Sequence, residues 1–168
     1  MAVAFSGCTS TGWRAKLDSE LPVFGHRNWI VVADSAYPKQ SASGIETVYT
    51  DAGQIEVLKT VLNAIDAAPH VQANVLLDVE LDSVTEKEAP GVEAYSRQLK
   101  ELLKGKQVKV MPHEEIISKL DASAKLFNIL ILKTDMVIPY TSVFLQLDCG
   151  YWNAEMEKKL RDTIGGKK

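Results

Sequence analysis

The first residues with chemical potential bracket a single apolar run. In FGHRNWIVVADSAYP, residues 24–38, a Gly25-His26 pair precedes Trp29–Ala33 and Asp34 follows it. Imidazole changes charge near neutral pH, and a carboxylate can hold it in one tautomer, so a His/Asp pair is equipped for general acid–base chemistry. His26 lies in a glycine-initiated turn among polar residues, which also fits a surface or capping histidine. His113 follows Pro112 and serves equally as a plain helix-start residue, His70 reads as loop decoration, and Asp34 can simply begin a turn. His26, Asp34 and His113 are possible ligand types for a facial metal site. No pair of them has helix-adjacent ligand spacing, so no metal is expected. The chain has no G-x-G-x-x-G, Walker loop, G-x-S-x-G elbow or H-E-x-x-H, which argues against nucleotide-dependent chemistry and the commonest hydrolases.

These side chains need elements to position them. Trp29–Ala33 is continuous, apolar and β-branched, as expected of a strand covered on both faces, and Ile45–Tyr49 reads as a second strand. Asp51 and Gln54 form a D-x-x-Q capping pattern ahead of Ile55, Leu58, Val61, Leu62 and Ile65, which predicts a helix over 52–67. A strand is expected over 71–80, an acidic loop over 82–91 and an amphipathic helix over 92–104 ended by Gly105. A strand over 106–111 leads to a helix over 113–122, with Glu114 and Glu115 in its first turn where the dipole favours them. Two further strands, 127–132 and 143–147, enclose a polar-ended loop, and 153–168 reads as a terminal helix. Alternating strands and helices imply an α/β domain with a mostly parallel sheet. Ligands in such sheets gather at the carboxyl ends of strands, where Asp34, His113 and Lys133 each follow one.

The chain has 168 residues, 46% of them hydrophobic, enough for one domain with a substantial core. Its net charge is −3, from 19 basic and 22 acidic side chains, without a basic stripe interleaved with aromatics, so nucleic acid is not an expected partner. No apolar run reaches the roughly 18–20 residues of a membrane span. The two cysteines, Cys8 and Cys149, match no disulfide or zinc spacing. Small residues before Cys8 and a polar spacer after it are similar to a bacterial lipoprotein cleavage region, but the charged and apolar parts of such a signal are missing. A cytoplasmic location is therefore expected, with the bacterial envelope or periplasm as the alternative if Cys8 is a lipidated residue of a truncated signal.

Gly25-His26, the strand ending at Asp34, Pro38, the Pro112-His113-Glu114 helix start and Pro139-Tyr140-Thr141-Ser142 before a last strand together resemble the RbsD/FucU family. These are the ribose pyranases and fucose mutarotases, and the likeness runs over about residues 17–152. It implies a single-domain, three-layer αβα fold with a mostly parallel central sheet. Residues 1–16 are expected to be a flexible lead-in, with a lipoprotein-signal remnant as one reading of it, and 153–168 a helical extension. The implied activity is cofactor-free ring opening and reclosure of a monosaccharide such as ribose or fucose. By the resemblance His26 is the proton donor, and Asp34 contacts the sugar or holds that histidine. His113, Tyr140 and Ser142 bind sugar, joined by Lys133. Tyr37 or Trp152 is the candidate to stack on the sugar, with a core role as the alternative for Trp152. The family commonly has asparagine where Ser142 stands and often arginine at Lys133, and the two cations are not equivalent donors. A non-catalytic monosaccharide-binding or sensing protein is therefore the alternative. The resemblance further implies a ring-shaped homo-oligomer, a pentamer or decamer, with sites shared between subunits.

Overall fold

β1 (Trp29–Ala33) is buried at all five positions. Ile30 and Val32 point into one apolar cluster and Trp29, Val31 and Ala33 into another, so the strand has a core on each face, which is why its sequence runs apolar without alternation. The computed structural model of the protein describes residues 12–165. In chain order it contains α1 (Trp13–Glu20), β1, β2 (Ile45–Tyr49), α2 (Gln54–Ala67), β3 (Val71–Asp78), a 3-10 turn (Val79–Ser83) and α3 (Val92–Leu102). β4 (Val108–Met111), α4 (His113–Ala124), β5 (Ile129–Lys133), β6 (Val143–Cys149) and α5 (Ala154–Gly165) follow. The first cluster packs Trp13 and Leu17 of α1, Val57, Leu58 and Val61 of α2 and Tyr95 and Leu99 of α3 against the sheet. The second packs Ile116, Leu120 and Ala124 of α4, with Tyr37, on the opposite face. The result is the expected three-layer α/β fold.

The six strands are ordered β2-β5-β1-β6-β3-β4. All pairings are parallel except those of β6, which runs against both β1 and β3. Val143, the first residue of β6, pairs with Val32 on one side and Leu77 on the other. The amino end of β6 thus enters the sheet between the carboxyl ends of β1 and β3. This single antiparallel insertion carries residues 140–142 to the edge where Asp34 and Asp78 emerge.

Several expectations need correction. The folded body begins before residue 17: α1 starts at Trp13, and Trp13 and Leu17, four apart on one helix face, are both buried. Cys8 and its signal-like surroundings lie outside the described residues. Asp51 and Gln54 do not form a capping box, because Gly53 is the N-cap of α2 and no side chain caps it. Gln54 is instead buried, donating from Nε2 to the carbonyls of Val32 (3.0 Å) and Thr141 (2.7 Å) and accepting from Thr134 Oγ1 (2.5 Å). The acidic loop has a structural use: Glu86 accepts from the backbone N–H groups of Gly91 (2.6 Å) and Glu93 (3.1 Å) at the start of α3. Those bonds hold its carboxyl below the ordinary range. α5 has no buried residue, and no helix among the described residues is long and apolar enough to cross a membrane.

Candidate functional site

Each carboxyl end on this edge delivers a polar side chain. Asp34 follows β1 and closes an Asx turn, its Oδ1 accepting from the Ala36 N–H at 2.9 Å. Its other oxygen accepts from Ser142 Oγ at 2.8 Å, and that hydroxyl accepts in turn from the Asp34 N–H at 3.1 Å. The reciprocal pair ties the carboxyl end of β1 to the amino end of β6 and fixes the aspartate rotamer.

β3 ends at Asp78 and β4 at Met111, which are register partners. Pro112 then starts α4, so His113 stands beside Asp78. His113 Nδ1 lies 3.0 Å from Asp78 Oδ2, and the His113 N–H donates to both carboxylate oxygens of Glu80 at 3.1 Å. With Nδ1 held by a carboxylate, Nε2 is the nitrogen left to act on a ligand. The Asp78 side chain is fully buried, and burial raises its carboxyl from the ordinary 3.8 to about 6 against the opposing hydrogen bond from His113.

Tyr140 completes the constellation. Its ring meets that of His113 edge-on, with centroids 5.8 Å apart, and its backbone is left-handed at φ 59°, a conformation rare for an aromatic residue. The segment is pinned from behind: the Thr141 carbonyl accepts from Tyr95 Oη at 2.8 Å as well as from Gln54. A polar clamp on the core side therefore holds Tyr140 at the mouth.

Asp34, Tyr37, Gln40, Asp78, His113 and Tyr140 all line one cavity of about 340 Å³, within the size range of small-molecule sites. Behind the lining, Phe144 of the core contacts the rings of both Tyr37 (6.2 Å) and His113 (6.4 Å). Of the residues singled out in the sequence, Asp34, Tyr37, His113 and Tyr140 line this cavity, and Ser142 is bonded to Asp34 beside it.

His26 and Lys133 are not. β1 alone spans roughly 16 Å, and it separates His26 at its amino side from Asp34 at its carboxyl side. Within one chain Asp34 therefore does not orient His26. The neighbour of His26 is Asp148, at 3.7 Å, beside Trp152 in a second cavity. Lys133 ends β5 as the register partner of Ala33 and Tyr49 and lies outside the lining of the first cavity. Trp152 is part-exposed and donates to Glu157 at 2.8 Å, so it neither packs in the core nor faces the first cavity. His70 Nε2 bonds the Leu21 carbonyl at 3.1 Å, a structural role in a loop.

Asp78, Glu80 and Gln40 were not singled out in the sequence. Asp78 carried a usable signal: it closes the apolar run Val75-Leu76-Leu77 as Asp34 closes Trp29–Ala33.

Comparison with known proteins bears on this geometry. RbsD from Bacillus subtilis complexed with D-ribose is 19% identical, with a TM-score of 0.59 over 86% of this chain and 99% of its own. FucU from Bifidobacterium longum is 22% identical at a TM-score of 0.55, over 80% of this chain and 92% of that one. The fucose mutarotase of Streptococcus pneumoniae in complex with L-fucose is 17% identical at 0.54, over 79% and 91%. At such identities these likenesses concern the fold. A search of curated protein sequences found no match. The sequence model of the RbsD / FucU transport protein family matches residues 14–149, which take in every strand and every residue of the cavity. The chain belongs to the RbsD / FucU family.

Proposed function

We propose that the protein is a cofactor-free monosaccharide isomerase, a mutarotase or pyranase that opens and recloses the ring of a free sugar in the cavity at the carboxyl edge of the sheet. The observation that carries this reading is the His113–Asp78 pair: an imidazole held through Nδ1 by a buried carboxylate, on a cavity of sugar-compatible size.

Ring opening removes a proton from the anomeric hydroxyl while another is delivered to the ring oxygen, and the bond between the anomeric carbon and that oxygen breaks to give the open-chain carbonyl. Reclosure on the other carbonyl face exchanges anomers; reclosure through a different hydroxyl exchanges ring sizes. His113 Nε2 is the base in this scheme, and Asp78 steadies the imidazolium that forms. Asp34, with Ser142 and the Ala36 N–H fixing it, accepts from a sugar hydroxyl, and the Tyr140 hydroxyl donates or accepts at the mouth.

His26 is the proton donor only if a second copy brings it to the cavity, because within one chain it stands at the opposite end of β1. The reading therefore includes a homo-oligomer with shared sites. Relatives of the same fold bound to D-ribose and to L-fucose support a sugar as ligand. Saturation transfer between anomeric proton signals of ribose and fucose tests the proposal. Exchange accelerated by the wild type and lost in a folded His113→Gln variant supports it. Sugar binding without accelerated exchange would replace it with the sensing or carrier role.

A further inference from the structure

Gln54 opens α2 on its core side, ahead of Val57, Leu58 and Val61, yet it carries an amide and is 1% exposed. A buried amide is costly unless hydrogen-bonded, and this one uses both of its N–H donors. They go to the carbonyls of Val32 (3.0 Å) and Thr141 (2.7 Å), while Oε1 accepts from the Thr134 hydroxyl at 2.5 Å. Backbone carbonyls only accept, so the network also fixes which end of the amide is which.

The two carbonyls belong to segments that supply the cavity. Val32 stands two residues ahead of Asp34, and Thr141 lies between Tyr140 and Ser142. Gln54 itself is not among the lining residues. Tyr140 needs a firm hold, because a residue with a side chain at φ 59° persists only where its surroundings over-determine it. Here they do. The Thr141 carbonyl takes both the Gln54 amide and the Tyr95 hydroxyl (2.8 Å), and Thr141 Oγ1 donates back to the Ile138 carbonyl at 2.7 Å.

We infer that Gln54 is a positioning residue for the reaction: its buried amide ties the Thr141 peptide to the end of β1, and so sets Tyr140 against His113 and Ser142 against Asp34 without touching the sugar. This rests on the reading of the cavity as a sugar site. The His113–Asp78 pair is carried by α4 and β3, and the three bonds of Gln54 go to neither. Placement of the ligand therefore depends on Gln54 more than proton transfer does.

The test uses Gln54→Glu, which keeps the shape and leaves one donor at most, with Tyr140→Ala as the reference for a lost tyrosine. Two quantities are read: the His113 ring-proton resonances of the sugar-free protein, which feel the Tyr140 ring at 5.8 Å, and KM and kcat for D-ribose and L-fucose by saturation transfer. In Gln54→Glu the His113 resonances should move toward their Tyr140→Ala positions. KM should rise about tenfold, the worth of one hydrogen bond to the ligand, with kcat changed by less than about threefold. Gln54→Met, uncharged and unbranched, reads the same quantities if the glutamate variant does not fold, and Tyr95→Phe releases the same carbonyl from its other donor if neither does. A glutamine that only stabilised the fold would lower the melting temperature and move neither readout. Folded variants with wild-type His113 resonances, or with wild-type KM, overturn the positioning role. If the wild type exchanges neither sugar, the proposed function falls, while the resonances still decide whether Gln54 holds Tyr140.

Discussion

Two histidine–aspartate pairs sit at opposite edges of the same sheet, and they differ in how far water reaches them. His113 and Asp78 are 3.0 Å apart with side chains 31% and 0% exposed; His26 and Asp148 are 3.7 Å apart with side chains 58% and 43% exposed. The residue types are the same. Water screens the second pair, and exposed pairs contribute only about 0–1 kcal/mol. Burial makes the first pair a tuned unit, raising the Asp78 carboxyl to about 6 and fixing the nitrogen that His113 presents. A histidine gains a defined role from the solvation of its carboxylate.

The comparison breaks first on activity. His113→Gln should lower sugar exchange by about 10²–10⁴-fold, the contribution of one general acid–base group, with the far-ultraviolet circular dichroism unchanged. His26→Ala should be comparably inactive if that histidine serves a neighbour's cavity, and mixing the two inactive variants should then restore exchange. Full activity of His26→Ala would leave the carboxyl edge as the entire machinery.

Asp78→Asn should reduce exchange on the order of 10²-fold or more, because an amide no longer enforces the tautomer or supports the imidazolium. It also reverses a stability trend. The folded protein holds the Asp78 proton more tightly than the unfolded chain does, since 3.8 is raised to about 6. Wild-type stability is thus unpenalised below both values, falls as pH rises from 3.8 to about 6, and stays lower above that, by on the order of 3 kcal/mol at most. Asparagine cannot ionise, so urea unfolding across this window should find the difference moving against the wild type as pH increases.

Smaller effects complete the ordering. Ser142→Ala removes both bonds to Asp34 and should destabilise by about 1–3 kcal/mol while raising KM, measured by thermal melting and exchange kinetics. Asp148→Asn should change stability by less than about 1 kcal/mol. A larger loss would mean that the His26 edge is buried in an assembly.

Much of the architecture was legible in local pattern. The apolar runs at Trp29–Ala33 and Ile45–Tyr49 locate strands to the residue, and the 3.6-residue spacing of Leu58, Val61, Leu62 and Ile65 marks α2 because helix burial is periodic along the chain. Asp34 and His113 could be placed at one edge, since both follow strands of a mostly parallel sheet. Gln54 was misread because D-x-x-Q is also a local capping pattern, and only the packed core reveals that its amide serves the Val32 and Thr141 carbonyls instead.

By itself, then, the sequence determined which residue types are available for acid–base and hydroxyl chemistry, which segments become strands and helices, and the family, because those depend on side-chain type and short-range periodicity. Which carboxylate meets which histidine was decided by tertiary structure. Asp34 lies eight positions from His26, yet the two lie across the length of a strand. Asp78 is 35 positions from His113, and the parallel register of β3 with β4 sets them side by side. The antiparallel entry of β6 brings Ser142 to Asp34 across 108 positions. Strand order and register are properties of the whole sheet, settled by which pairing buries every apolar face at once.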